Sequence, residues 1–227
     1  HRVHRRQRQM CIRDRWYTVA KRSRTYVAKV LSSISGEYYK NYNVNRLIRR
    51  SNGIDLYYGD KSEFFSYDKV VLASHADQAL SIIDEPTKEE QEILSKFKYR
   101  ENIAVIHTDE SIMPNNKDIW SSWNSSVDKN NVENNSITYW LNLLQNLDFN
   151  KNIFLTLNPN FKINEDKILK KVNFTHPYFD QSALDNQDKL KNLQNKKNLL
   201  FCGSYFGYGF HEDGIKSSIE MIKAIDV

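Results

Sequence analysis

The stretch Phe201–Gly214 constrains the fold more than any other, because it joins an apolar run to a helical pattern through a glycine-rich turn. Four of the chain's seven glycines lie in it. The preceding run, Leu199–Cys202, is typical of a buried strand, and isoleucines with helical spacing follow the turn. These are Ile215, Ile219, Ile222 and Ile225. Such a junction predicts a ligand site at the first turn of a helix or, equally, a packing junction in which Asp213 is only a helix cap.

The distribution of charge and the number of cysteines limit which classes of protein this chain can belong to. Residues 1–15 hold six arginines and one acid, so the rest of the chain has no net charge although the whole carries +5. We expect residues 1–15 to be a non-native leader; if native, they would form a disordered basic arm able to contact phosphates. Cys11 and Cys202 lack disulfide or metal spacing, which favours a cytoplasmic location and no metal site. No apolar run has the length of a membrane span.

The first half of the chain alternates helical and strand patterns. A capping box, Thr87 to Glu90, opens the clearest amphipathic helix, and the continuously apolar run at 68–74 predicts a buried strand in parallel pairing. The turn Ser51–Gly53 predicts a hairpin. The predicted elements are a helix at 24–35, strands at 43–50, 54–58, 63–66 and 68–74, and helices at 77–83 and 87–97.

From Asn102 onward, short strand-like runs are separated by polar loops. Without long helices between them, they predict an antiparallel sheet that forms a second layer or domain. The runs are 103–107, 119–123, 137–141, 153–157 and 172–175, and a helix is predicted at 180–193. The fold class is therefore mixed α/β and α+β, with the antiparallel region inserted between two parts of the first domain.

Two runs, Val70–Leu80 and Phe201–Gly214, resemble the flavin-containing amine oxidoreductase family, in its bacterial NAD/FAD-binding branch. Shorter matches follow the family's order over nearly all of 16–225; they are Arg22–Val27, His107–Asp109, Thr138–Trp140, Leu157–Pro159 and His176–Pro177. The chain contains no GxGxxG. The resemblance therefore implies the C-terminal part of an FAD/NAD(P)-binding fold whose N-terminal dinucleotide unit is missing.

The resemblance also implies a domain plan. After the leader at 1–15, residues 16–85 and 196–227 would be two segments of the FAD-binding domain, and 86–195 would be the substrate domain. The expected cofactor is FAD, and the expected partners are a small-molecule or lipid-like substrate and the missing N-terminal part of the protein. Neither nucleic acid nor a transmembrane segment is expected.

Site residues follow from the same resemblance. The residues expected at the cofactor are Val44, Ala73, Ser74, His75, Gly203, Ser204, Glu212, Asp213 and Gly214. The aromatic residues expected to wall the substrate cavity are Tyr205, Phe206, Tyr208 and Phe210. His211 is the candidate catalytic group, because an imidazole can move a proton near neutral pH; its alternative role is a structural hydrogen bond in the turn.

The expected reaction is hydride removal from a C–N or C–C bond to flavin. The alternatives are an FAD-dependent desaturase of an acyl or isoprenoid chain, a non-catalytic remnant, and a basic nucleic-acid-binding module. Six further residues are predicted to be core: His107, His176, Trp120, Trp123, Trp140 and Cys202. Cavity-facing roles are the alternative for the histidines and tryptophans.

Overall fold

The computed structural model describes residues 17, 19–59, 63–128 and 131–225, and the predicted leader at 1–15 lies outside them. The chain divides after Lys40 into two units. The first contains α1 (Ser23–Ser32), the helix predicted at 24–35, and none of its residues is buried. No helix among the described residues has the length and apolar content needed to cross a lipid bilayer.

The second unit opens with an antiparallel meander of β1 (Val44–Arg50), β2 (Gly53–Tyr58) and β3 (Phe64–Tyr67), as the alternating pattern predicted. Glycine is required after the first turn: Gly53 has φ +153°, and an added Cβ would lie 2.6 Å from the carbonyl oxygen of Tyr67. The meander therefore depends on the turn chemistry that the sequence displays.

A two-stranded parallel sheet follows, formed by β4 (Val70–Leu72) and β10 (Leu199–Phe201). The parallel pairing predicted for the apolar run at 68–74 is confirmed. The outer edge of β10 is closed by a side chain: Gln194 donates from Nε2 to the carbonyl of Phe201 at 2.8 Å and accepts its N–H at 3.0 Å. A glutamine amide thus takes the place of a neighbouring strand.

The antiparallel region is a five-stranded sheet with the order β6-β7-β8-β5-β9, which confirms the predicted architecture. Its strands are β5 (Lys98–His107), β6 (Trp123–Asp128), β7 (Asn131–Trp140), β8 (Phe154–Leu157) and β9 (Ile168–Tyr178). The strand predicted at 119–123 only begins at Trp123. The Asn116 side chain accepts the N–H of Asp118 and favours a 3-10 turn at Lys117–Ile119 instead.

The helices between β4 and β5 close the main apolar core. They are α2 (Ala76–Ile82) and α3 (Lys88–Leu94). A separate short helix, α4 (Leu141–Leu144), follows β7. The capping box is confirmed by reciprocal bonds between Thr87 and Glu90 of 3.2 and 2.7 Å. Glu90 is buried and also pairs with Arg49 of β1. This ion pair ties the helix to the meander beneath it.

The helix predicted at 180–193 is broken into α5 (Gln181–Leu184) and a 3-10 segment, Gln187–Leu193. Asn186 lies at the break and donates its side-chain amide to the carbonyl of Ser182 at 2.8 Å, a bond that competes with regular helix. Leu190 and Leu193 are buried nonetheless.

The last helix, α6 (His211–Lys223), is present where the isoleucine spacing predicted it, but of the four isoleucines only Ile225, just after the helix, packs against buried residues. Ser217 and Met221 are its buried residues, and Met221 packs with Leu200 and Cys202. Ile215, Ile219 and Ile222 are 51–57% exposed. The helix therefore presents its more apolar face to solvent.

Candidate functional site

The carboxyl ends of β4 and β10 meet at Ser74 and Gly203. Gly203 has φ +155°, and a Cβ there would lie 2.7 Å from the ring of Tyr205 and 3.5 Å from the carbonyl oxygen of Ser74. Its N–H donates to the Oγ of Ser217 in α6 at 2.9 Å. Open α/β sheets bind ligands at this end of their strands. The junction is thus both tightly packed and placed where a ligand is expected.

The glycine-rich turn is held in shape by Asp213. Its Oδ2 accepts the N–H groups of Tyr208 and Phe210, both at 3.0 Å, and its carboxylate fills the space that a Cβ on Gly207 would need. Gln187 donates to the carbonyl of Gly207 at 2.5 Å. Asp213 therefore acts as the helix cap that the sequence offered as an alternative, and its role toward a cofactor stays a prediction.

Two acidic residues, Glu212 and Asp213, lie in the first turn of α6. Negative charge at this end stabilises the helix, because the free N–H groups carry partial positive charge. The same carboxylates oppose a phosphate at the helix start. This terminus therefore suits an uncharged ring better than a pyrophosphate group.

His75 connects the strand end to the five-stranded sheet. It is the residue before α2, its ring stacks on Tyr99 of β5 with centroids 4.2 Å apart, and its Nδ1 lies 3.4 Å from the Oγ1 of Thr175 in β9. The Tyr99 hydroxyl accepts the N–H of Ala76 at 2.9 Å, and burial raises the pKa of Tyr99 to about 12. The five-stranded sheet is thus fastened to the end of β4.

The predicted cavity residues take different positions. Tyr205 is buried with its ring 5.4 Å from Phe97 and 4.9 Å from Phe206, and its hydroxyl has no hydrogen-bond partner among the described residues. Burial raises the pKa of Tyr205. Tyr208 and Phe210 are 68% and 69% exposed. These two, together with the half-buried Phe206, could face a substrate without rearrangement.

Six of the residues expected at the cofactor surround this junction: Ser74, His75, Gly203, Ser204, Asp213 and Gly214. Ala73 follows β4 directly, and Glu212 is exposed on α6. Val44 lies away from the junction, in β1 of the three-stranded meander, opposite Tyr58 of β2. His211 is the exposed first residue of α6, and its ring makes no hydrogen bond or ion pair with the part of the chain that the structure describes.

Sequence reasoning missed three residues of the site: Tyr99, Thr175 and Gln187. Each acts on a partner distant in the chain, such as His75 for Thr175 and Gly207 for Gln187. Their sequence contexts are ordinary strand and helix patterns, so no local signal marked them.

Of the two histidines predicted to be core, only His107 is. Its Nδ1 accepts the N–H of Asp109 at 3.2 Å, and its Nε2 lies 2.8 Å from the Oγ1 of Thr156, which in turn lies 2.9 Å from the Oγ1 of Thr138. Burial lowers the pKa of His107. His176, by contrast, is exposed in β9, an edge strand, so its prediction was wrong.

The tryptophans divide in the same way. Trp120 is buried and Trp140 is half-buried, with their rings 5.3 Å apart. Trp123 is 64% exposed, and its core prediction was wrong because it lies on the open face of the edge strand β6. The buried position predicted for Cys202 is confirmed.

A cleft of about 460 Å³ separates the 3-10 segment Gln187–Leu193 from α6. Its charged lining mixes signs, with Asp188 and Lys191 on one wall and Lys216 and Glu220 on the other. Within 17, 19–59, 63–128 and 131–225, no group of three or more histidine, cysteine or acidic residues is arranged to hold a metal ion.

Comparison with known proteins supports the fold through structure alone. No protein-family model and no curated protein sequence matches the chain. A CLA-producing fatty acid isomerase from P. acnes matches 90% of this chain and 52% of its own, at TM-score 0.63 and 14% identity. Wild-type putrescine oxidase bound to putrescine matches 91% of this chain and 52% of its own, at TM-score 0.57 and 9% identity. Cyclohexylamine oxidase from Brevibacterium oxydans matches 82% of this chain and 49% of its own, at TM-score 0.51 and 10% identity.

These structures place the chain in a class of mixed α/β folds shared by oxidases and an isomerase. The chain spans about half their length. Its fold is that of the flavin-containing amine oxidoreductase family, as the sequence resemblance implied.

The residues present fit one part of FAD and not another. Ser74, His75, Gly203 and Ser204 form a half-buried rim at the strand ends, and at Gly214 an added Cβ would still lie 3.8 Å from the nearest atom, the nitrogen of Ser204. A ring or ribityl chain could approach the backbone there. No GxGxxG loop occurs in the sequence to cradle the phosphates, and the acids of α6 oppose them.

Proposed function

We propose that this chain is part of an FAD-dependent oxidoreductase of the amine oxidase superfamily, which removes a hydride from a C–N or C–C bond. The observation that carries the proposal is the convergence of the ends of β4 and β10 with the glycine-rich turn and the first turn of α6. It places backbone groups and half-buried polar side chains where this fold class binds ligands.

Within the proposed enzyme, FAD supplies the hydride-accepting chemistry. Ser74, Gly203 and Ser204 would contact it through backbone and hydroxyl groups, and His75 would fix the rim through its stack on Tyr99. The exposed rings of Tyr208 and Phe210 would exclude water from the substrate. His211, which follows them, would accept a proton released during oxidation.

The phosphate-binding unit would come from another part of the protein, because this chain has no GxGxxG and covers about half the length of its structural neighbours. Without that unit, the chain would bind FAD weakly and would be inactive alone. A non-catalytic remnant is the outcome if no such unit exists.

A desaturase of an acyl or isoprenoid chain is the second candidate, and one observation favours it. The open face of the five-stranded sheet carries exposed apolar side chains, including Trp123 at 64%, Val127 at 51% and Ile137 at 39%. Such a surface suits an apolar substrate, and a structural neighbour is named as a fatty acid isomerase.

The test is to express the longest natural reading frame that contains this chain and to measure flavin absorption after purification. We expect bound FAD in the longer protein and little in the 227-residue chain. A longer protein that remains colourless and does not take up added FAD would contradict the proposal.

Two glycine-to-alanine substitutions test whether FAD binds close to the first turn of α6. Gly214→Ala has room in the folded chain and improves helix propensity, so it should leave the Tm unchanged or raised. If backbone close to Gly214 contacts the cofactor, FAD affinity should still fall by about tenfold or more. Gly36→Ala, where nothing lies within 4 Å, is the control and should change neither quantity.

A further inference from the structure

We propose that the cleft between the 3-10 segment Gln187–Leu193 and α6 binds a small zwitterion with an apolar body, of the α-amino acid class. The cleft lies on the flank of α6, beside the glycine-rich turn. Its volume of about 460 Å³ is within the range of small-molecule sites, about 300–1,000 Å³. Ligand binding there depends neither on FAD nor on the reaction proposed above.

The two walls of the cleft run in the same direction. Where the 3-10 segment begins, Gln187 donates from Nε2 to the carbonyl of Gly207, just before α6, at 2.5 Å. Where the segment ends, Asn195 donates from Nδ2 to the carbonyl of Ala224, just after α6, at 2.9 Å. Each end of the segment is therefore tied to the matching end of the helix, and the cleft opens between these two ties.

The charged side chains of the two walls have the same spacing. Asp188 and Lys191 are three residues apart in a 3-10 segment, which rises about 2.0 Å per residue, so they are separated by about 6 Å along the wall. Lys216 and Glu220 are four residues apart in an α-helix, which rises about 1.5 Å per residue and gives the same separation. The parallel walls thus form a first level, of Asp188 and Lys216, and a second level, of Lys191 and Glu220.

Each level holds one charge of each sign, and the charges do not pair across the cleft. Lys216 lies 3.7 Å from Glu212, and Glu220 lies 2.5 Å from Lys223, so both pair within α6. The charged groups of the 3-10 wall have no ion-pair partner among the described residues. All four groups are exposed at the mouth of the cleft, where a ligand can reach them.

This arrangement favours a ligand that carries both charges. A cation that approaches Asp188 also approaches Lys216, and an anion meets the same two groups, so a single charge gains little. A zwitterion gains from both, because its ammonium group can face the aspartate while its carboxylate faces the lysine. Gln187 offers the ammonium a second acceptor, since its Nε2 is used on the turn and its Oε1 makes no hydrogen bond to the part of the chain that the structure describes.

The floor of the cleft fits an apolar ligand body. Phe206, Met221 and Ala224 supply its apolar surface. The side chains of Ser217 and Gln194, which also line it, are occupied by hydrogen bonds to protein backbone. An aliphatic side chain can therefore cover the floor without leaving these polar groups unpaired.

Leucine and two analogues that each lack one charge test the site. Isopentylamine lacks the carboxylate and isocaproate lacks the ammonium group. Each is titrated into the isotope-labelled 227-residue chain, and the NMR signals of the Gln187 side-chain amide are followed. We expect saturable shifts with leucine and binding of either analogue weaker by about threefold or more. Equal binding of all three compounds, or no saturable shift with leucine, would overturn the proposal.

Substitutions locate the binding. Asp188→Asn and Lys216→Gln each remove one charge of the first level and nearly preserve side-chain size. Each should weaken leucine binding by about threefold or more. Lys189→Gln is the matched control on the same 3-10 segment; its side chain bonds to Asn186 outside the cleft, and its loss should leave leucine binding unchanged. Leucine binding that survives both cleft substitutions would overturn the proposal.

A cleft that closes on itself in solution would give a different pair of results. Asp188 would then pair with Lys216, and Lys191 with Glu220, so that no ligand could enter. Leucine would produce no saturable shift, and Asp188→Asn would lower the Tm while Lys189→Gln would not. This combination would overturn ligand binding in favour of a closed electrostatic contact between the two walls.

Discussion

Replacing Tyr205 by phenylalanine should stabilise the protein. The side chain is buried, and its hydroxyl finds no hydrogen-bond partner among the described residues. An unpaired buried hydroxyl costs about 1–3 kcal/mol, and its removal leaves the ring's contacts with Phe97 and Phe206 in place. We expect Tyr205→Phe to raise the free energy of unfolding by about 1 kcal/mol, which corresponds to a Tm higher by roughly 2–4 °C.

Tyr99→Phe is the matched control and should have the opposite sign. The Tyr99 hydroxyl accepts the N–H of Ala76 at 2.9 Å, so its loss leaves that donor unpaired at the start of α2. The expected loss is about 1–2 kcal/mol. Urea unfolding of both variants gives the two values. If Tyr205→Phe destabilises the chain as much as Tyr99→Phe does, the Tyr205 hydroxyl has a partner and the reasoning is refuted.

Three further predictions concern other sites. Because burial lowers the folded-state pKa of His107, stability should decline as the pH falls below the ordinary histidine value of about 6.5, and His107→Gln should remove this decline in urea unfolding measured from pH 7 to 5. Glu90→Ala should lower the free energy of unfolding by about 3–5 kcal/mol, because it leaves Arg49 without its buried partner. Gly207→Ala should displace the Asp213 carboxylate and cost about 1–2 kcal/mol, measured by thermal unfolding.

The first two of these predictions each have a control at an exposed residue. His176→Gln should leave the acid-induced decline intact, since that histidine is exposed. Glu92→Ala removes an exposed carboxylate of the same helix as Glu90 and should change stability by less than about 0.5 kcal/mol. An acid-induced decline that persists in His107→Gln, or a Glu90→Ala variant as stable as Glu92→Ala, would contradict the assigned roles.

The sequence was most informative where local chemistry decides the structure. The capping box at Thr87, the turn before Gly53 and the apolar run that became β4 all depend on neighbours a few residues away, and all were predicted. The structure differs from the strand predicted at 119–123 and from the helix predicted at 180–193. Each of these segments contains or adjoins an asparagine whose side chain bonds to nearby backbone. That competition is local too, but apolar spacing does not reveal it.

The candidate site was predictable only in part. The glycine-rich turn and the strand before it were visible as a pattern, and Asp213 as a cap was a sequence-level alternative. The anchoring of His75 by Tyr99 and Thr175 depends on how β5 and β9 return to the strand end, so long-range topology was required. The exposure of the isoleucines on α6 contradicts the usual meaning of helical spacing, because a spacing identifies an apolar face without identifying what covers it.

The amide of Gln194 has a consequence for how copies of this chain associate. A sheet with two free edges can add subunits indefinitely and form fibres, whereas this two-stranded sheet has one free edge among the described residues, because the glutamine closes the other. Two copies that met through their β4 strands would produce a four-stranded sheet bounded by a glutamine at each end. Association through this sheet would therefore stop at a pair, and the glutamine that closes its β10 edge also limits its growth.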